Sequence, residues 1–245
     1  MGSLHALQAL AILYLSDPAK GLFPIITTYI KFNPITRITQ TQMASLGQIN
    51  VVYLMAGFFA LSAIFHLLIG TVYRKKYEEN LLLGINKLRW YEYSLSASIM
   101  MVAIAMLSGI FDLSSLIMIF VLDAVMNLMG LVMEKTNQGL EKTGKQDWLS
   151  YWIGCLAGIT PWIVFGIYVW GITAKGGGEI PNFVYGIYVT IFIFFNSFAI
   201  NMALQYKKVG PWKDYLFGEK VYIVLSLVAK SLLAWQIFFG ALVRN

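Results

Sequence analysis

The chain has 245 residues, of which 58% are apolar, 15% aromatic and 12% charged, and its mean hydropathy is +0.68. Disorder and an ordinary soluble domain are both excluded, because soluble domains carry about 25% charged residues. A net charge of +6 raises nucleic-acid binding, but the positive residues punctuate apolar stretches instead of forming one basic face, so they read as topology determinants of an all-α membrane protein.

A bilayer core ~30 Å thick needs roughly 20 apolar residues per spanning helix. Apolar segments fall at 2–16, 48–72, 87–110, 112–133, 148–173, 182–206 and 216–243, which predicts seven transmembrane helices, A to G, in one domain over 1–245. Helix A is short and carries His5 and Gln8. It has neither the basic flank nor the small-residue cleavage site of a secretory signal around Leu13-Tyr14-Leu15-Ser16, so it reads as a span. The long A–B connection, 18–47, holds Ile25-Ile26-Thr27-Thr28-Tyr29-Ile30-Lys31-Phe32 and Ile35-Thr36-Arg37-Ile38-Thr39-Gln40-Thr41 around an Asn33-Pro34 breaker. That pattern predicts an antiparallel β-hairpin whose edge could pair with another protomer, a solvated loop being the alternative.

Twelve Lys and Arg residues flank the B–C, D–E and F–G connections: Arg74, Lys75, Lys76, Lys87 and Arg89, then Lys135, Lys142 and Lys145, then Lys207, Lys208, Lys213 and Lys220. The opposite face has five: Lys20, Lys31, Arg37, Lys175 and Arg244. The positive-inside rule then predicts a cytoplasmic N-terminus, with the hairpin and the C-terminus extracellular. The lone Cys155 sits in an apolar setting and reads as a packing residue.

Lys230 lies near the centre of helix G, within Leu227-Val228-Ala229-Lys230-Ser231-Leu232, too far from either end to snorkel. One reading is a lysine paired to a carboxylate for packing. The other is a desolvated amine that condenses with an aldehyde to form a Schiff base, which when protonated needs a counterion. Glu92, one to two turns into helix C, is the candidate counterion. Arg89 lies one turn earlier, placed to hold Glu92 ionised or to anchor the interface, and an ordinary Arg-Glu helix-end pair is the alternative. Asp123 on helix D, His66 and Ser62 on helix B, and His5 and Gln8 on helix A add polar groups to apolar helices, describing a polar cavity around a buried charge.

The strings SLVAKSLLAWQIF, RWYEYSLSAS, LHALQ, AGITPWIV and FAINMALQY together resemble heliorhodopsin, over essentially the whole chain. The resemblance implies a rhodopsin-like bundle with an extracellular A–B hairpin, a homodimer, and all-trans retinal linked to Lys230 with Glu92 as counterion. It also implies Ser62 and Ser226 beside the Schiff base, with Tyr93, Ser96, Asp123, Met126 and Trp162 in the chromophore site. His5, Gln8 and His66 would line a hydrated cavity on the counterion side. Two departures stand out: the family pattern suggests asparagine where Asp123 stands, and little chain precedes helix A, which leaves its end poorly anchored.

Three functions compete. A light sensor would act on membrane lipid or a cytoplasmic signalling partner through a slow photocycle. A light-gated passive proton channel or transporter would use Asp123 and Glu219 as a proton path, although Ala103, three turns beyond Glu92, offers no donor carboxylate and Glu219 beside Lys220 also reads as a solvated end charge. A structural bundle without chromophore leaves Lys230 unexplained. No nucleotide loop, zinc spacing or catalytic triad is present, so an enzyme is not expected.

Overall fold

In the computed structural model, which describes residues 1–140, 145–171, 174–176 and 180–243, the chain opens with α1 (Gly2–Leu15), β1 (Leu22–Asn33) and β2 (Ile38–Asn50). It continues as α2 (Val51–Gly70), α3 (Arg74–Leu82), α4 (Lys87–Leu107), α5 (Leu113–Thr136), α6 (Leu149–Gly166), α7 (Asn182–Tyr206) and α8 (Tyr215–Ile237). One π-helical turn each, Ile167–Gly171 and Phe238–Leu242, extends α6 and α8.

Four helices start at a side chain that accepts from the otherwise unpaired N–H groups of the first turn. Asn50 accepts from Val52 N at 2.9 Å, Asn86 from Arg89 N at 3.2 Å, Asp112 from Ser115 N at 3.1 Å and Asp214 from Leu216 N at 2.9 Å. Helices satisfy their own backbone, which is what a lipid environment requires. Six of them, 20 to 28 residues long with their extensions, are long and apolar enough to cross a membrane. Of the two others, α1 is apolar but shorter, with 14 residues spanning ~21 Å.

The helices close a ring: α1 packs on α2, α2 on α4, α4 on α5, α5 on α6 and α7 on α8, and α8 returns to α1 and α2. Between α6 and α7 the contact is made by side chains. The Trp162 ring lies 5.2–5.6 Å from Tyr188, Phe192 and Phe195, and Tyr151 donates to the Ala199 carbonyl at 3.2 Å. Leucines such as Leu7 and Leu10 face outward, whereas His5, Ser62, Glu92, Asp123 and Lys230 are buried, an inside-out polarity that suits acyl chains as solvent. At the hairpin end, Asp17 N donates to Leu242 O at 2.9 Å and Lys20 Nζ to Val243 O at 2.8 Å, joining α1 to the end of α8.

Several boundaries differ from the sequence expectation. The hairpin is longer than its Ile/Thr runs: its ladder extends from Asn33 opposite Ile38 to Leu22 opposite Asn50, with a bulge between Ile25 and Ile26. Gln48–Asn50 therefore end a strand instead of starting helix B, because Asn50 caps α2. Ile35, Thr36 and Arg37 form the turn, tightened by Asn33 Oδ1 accepting from Ile35 N at 3.0 Å. Helix C stops at Leu107 because Gly109, at φ +92°, turns the chain toward α5. Helix α3 was not anticipated; its exposed Arg74–Glu78 and Lys76–Glu79 pairs give a polar helix that apolar-run reasoning passes over. Ile172 and Thr173, expected at the end of helix E, lie outside the described residues, as do Lys142 and Arg244.

Candidate functional site

Lys230 sits between Ala229 and Ser231 on the inner face of α8, 2% exposed. Its ammonium has three hydrogens and three partners: Glu92 Oε1 at 2.6 Å, Ser62 Oγ at 2.6 Å and Ser226 Oγ at 3.0 Å. Ser226 is one turn earlier on α8, so helical spacing alone places it there. Glu92 Oε1 also accepts from Ser62 at 2.6 Å and from Ser96, one turn later on α4, at 2.7 Å. A buried ion pair persists when its remaining hydrogen-bonding capacity is filled, and these serines fill it.

On the other side of Lys230 lies a cavity of about 530 Å³ between α4, α5, α6, α7 and α8. Its walls are mainly apolar, with Met100, Ile104, Met126, Ile159 and Phe195 among them, and Tyr93, Asp123, Ser226 and Lys230 bring polar atoms to it. Room is made by glycine: a Cβ at Gly130 would overlap the Trp90 indole, and one at Gly158 would overlap Met126 Sδ. Tyr93 donates to the Tyr222 carbonyl at 2.9 Å, and its ring lies 5.4 Å from Lys230 Nζ. Trp162 is not among the cavity-lining residues; it is buried behind Phe195, which is. Glu92, Ser62 and Ser96 are likewise absent from the lining, so Lys230 stands where an apolar chamber meets a polar cluster.

The helix A and B residues gather only in part. His5 is fully buried and stacks on His66 at 5.6 Å, and Phe59 lies 5.9 Å away. Gln8, half-buried one turn on, accepts from Trp235 Nε1 at 3.3 Å.

Arg89 does not pair with Glu92. Its guanidinium bonds Glu134 and Glu219 and packs over the rings of Trp90, 4.4 Å away, and Tyr222, 3.9 Å away. Asn86 completes the cluster, donating from its backbone N to Glu134 at 2.9 Å and from Nδ2 to Glu219 at 2.7 Å. The expectation of a solvated Glu219 is thereby corrected: at 4% exposure it is enclosed by these donors. Tyr77 on α3 closes the outer side, 3.5 Å from Asn86 Nδ2, and burial, with Glu219 next, raises its phenol above the ordinary value. Sequence reading missed Glu134 because Lys135 follows it and the pair looks like a helix-end motif. The available signal was spacing: Asp123, Asn127, Gly130 and Glu134 recur at intervals of four, three and four, which is one helix face.

The chain matches the Heliorhodopsin family over residues 1–242. Among solved structures it is similar to the light-driven proton pump LR (Mac) from Leptosphaeria maculans, at 14% identity and a TM-score of 0.55, covering 97% of this chain and 90% of that one. That likeness establishes the fold. No match emerges among curated proteins.

Proposed function

The chain belongs to the heliorhodopsin family, retinal-binding and light-responsive, and on that premise we propose that it is a light sensor carrying all-trans retinal on Lys230 with Glu92 as counterion. The observation that carries this reading is the place of Lys230: its amine borders an apolar cavity on one side and touches a carboxylate on the other. A volume of about 530 Å³ falls in the ~300–1,000 Å³ range of small-molecule pockets, and the mainly apolar walls suit a polyene. When bound as a Schiff base, formed from the amine and the aldehyde with loss of water, retinal supplies visible absorption and light-driven isomerisation. The protein's part is electrostatic and steric. Glu92 balances the positive charge left on the lysine nitrogen, Ser62 and Ser96 hold Glu92 in place, and Ser226 orients the nitrogen from its own helix. Tyr93, Asp123 and Met126 form part of the chamber, and Trp162 supports it from behind through Phe195.

The distribution of Lys and Arg supports a cell-membrane topology. Arg89 is consumed in buried ion pairs, which leaves eleven flanking charges in the sequence count against five on the other face. The N-terminus is then cytoplasmic and the hairpin extracellular. A two-stranded ribbon has two outer edges, that of β1 engaged at Ile26, whose N–H donates to Phe111 O at 3.0 Å, and Tyr29, Ile30, Phe32 and Met43 are exposed on it, which supports pairing with a second copy.

The test is reconstitution with all-trans retinal. The wild-type chain gains a visible absorption band, whereas Lys230→Ala remains helical by circular dichroism and gains none. A visible band surviving in Lys230→Ala overturns the assignment.

A further inference from the structure

We propose that Asp123 is a neutral carboxylic acid, a proton-holding clasp that joins α4 to α5 in the wall of the cavity. Among the described residues, four carboxyl groups are buried inside the bundle, Glu92, Asp123, Glu134 and Glu219, against two buried cations, Lys230 and Arg89. Both cations are committed: Lys230 to Glu92, and Arg89 to Glu134 and Glu219. Asp123, with no exposed surface, has neither. The helices around it bring no substitute. Neither α6 nor α7 carries a charged side chain, and the titratable side chains that α6 brings to the same cavity are Tyr151 and Cys155. On α4, Lys87 lies about three turns before Ser98, and on α5 Glu134 and Lys135 lie about three turns beyond Asp123. From β1, packed at the start of α5, Lys31 is exposed. An isolated carboxylate in such a place neutralises instead of staying charged.

The hydrogen count accommodates the same state. Ser98 Oγ has one hydrogen and two oxygen neighbours, the Ser94 carbonyl at 2.8 Å and Asp123 Oδ2 at 3.1 Å. With that hydrogen on the nearer carbonyl, the contact with Asp123 is made by the hydrogen of a neutral acid. Asn127 Nδ2 donates to both the Asp123 carbonyl, at 2.9 Å, and Oδ2, at 3.1 Å, which a hydroxyl oxygen accepts while donating to Ser98. Oδ1, buried without a hydrogen-bond partner, is then the carbonyl oxygen of a neutral acid and not a bare anion. The acid thus ties α4 to α5 through Ser98 and holds an exchangeable proton in the same wall as Lys230. Its response to light rests on the retinal reading; its protonation does not.

Infrared spectroscopy of the full chain in lipid tests this. The dark-state spectrum of wild type minus Asp123→Asn shows a carboxylic-acid carbonyl band that moves to lower frequency in D2O and is retained in Glu134→Gln. Ser98→Ala shifts that band without abolishing it. With retinal bound, the band appears in the light-minus-dark difference. Loss of carboxylate intensity in Asp123→Asn, with no carbonyl band lost, overturns the neutral acid; a band unmoved by Ser98→Ala overturns the clasp. A pigment whose light-minus-dark spectrum lacks the band overturns its coupling to light. Failure to form any pigment counts against the retinal reading, and the dark-state comparison still decides the protonation.

Discussion

Arg89→Gln is the most informative single substitution away from Lys230. It removes the guanidinium that Glu134 and Glu219 share and leaves two buried carboxyl groups with only Asn86, and Tyr215 at 3.4 Å from Glu134, as donors. Breaking a buried pair by deleting one partner costs about 3–5 kcal/mol. Losing the packing of the cation over Trp90 and Tyr222 adds about 1–2 kcal/mol. Glu134→Gln or Glu219→Gln is milder, on the order of 1–2 kcal/mol, because one carboxylate still faces one guanidinium and the new amide oxygen still accepts. For a chain of this size, about 2–4 °C per kcal/mol makes the Arg89→Gln drop roughly 10–30 °C. The assay is thermal loss of the helical circular dichroism signal in micelles. Adding Glu219→Gln to Arg89→Gln recovers part of the loss, since one fewer carboxyl group is left without a cation. If either glutamate variant costs as much as Arg89→Gln, or if the double variant shows the plain sum of the singles, the account of a shared cation fails.

Glu92→Gln removes the carboxylate that faces Lys230 and shifts the visible band to the red or converts it to a near-ultraviolet band at neutral pH; an unshifted spectrum assigns the counterion elsewhere. Gly130→Ala forces a methyl into the Trp90 indole at the cavity wall and destabilises by about 1–3 kcal/mol, read as a lower melting temperature, and an unchanged melting temperature refutes the close approach. Ser114 first, then the Ser115 N–H, hold the Asp112 carboxyl below the usual carboxylate range, so its cap on α5 is fully present above the unfolded value of about 3.9 and is lost as pH falls through the lower folded one. Asp112→Ala then costs about 1 kcal/mol at pH 7 and nothing in strong acid, where a persisting difference counts against the linkage. Photocurrent measured against voltage at two pH gradients stays at zero for a sensor, whereas a current reversing with the proton gradient establishes a passive channel.

The fold was legible where apolar length alone decides it. Spans B to G appear as long runs, and Asn33-Pro34 marks the hairpin turn because Asn33 accepts from the turn N–H groups. The pattern was silent where a helix is held by something other than its apolar face. Helix α3 is mostly polar and has no fully buried residue, so no apolar periodicity announces it. The second strand ran on past Thr41 because pairing with β1 overrides the weak strand preference of Gln42, Gly47 and Gln48.

At the site, the residues that could be read were those whose chemistry is wrong for their depth: Lys230, Glu92 and Asp123 stand out against apolar neighbours. Arg89, Glu134 and Glu219 have the same chemistry, but each sits within a turn or so of a helix end, where charge is ordinary. What hides them is that three helix ends converge, and convergence is a tertiary fact. Asn86, Glu134 and Glu219 come from the α3–α4 connection, α5 and α8, and only packing shows that they enclose one guanidinium. This also changes what Glu219 can do. It is not a solvated end charge but a buried carboxyl group bonded to Arg89 and Asn86. Trp90 and Tyr222 line the cavity and pack against the Arg89 guanidinium, so a proton path leaving the cavity between these rings meets a positive charge. Both glutamates hold that charge in place through their ion pairs with it.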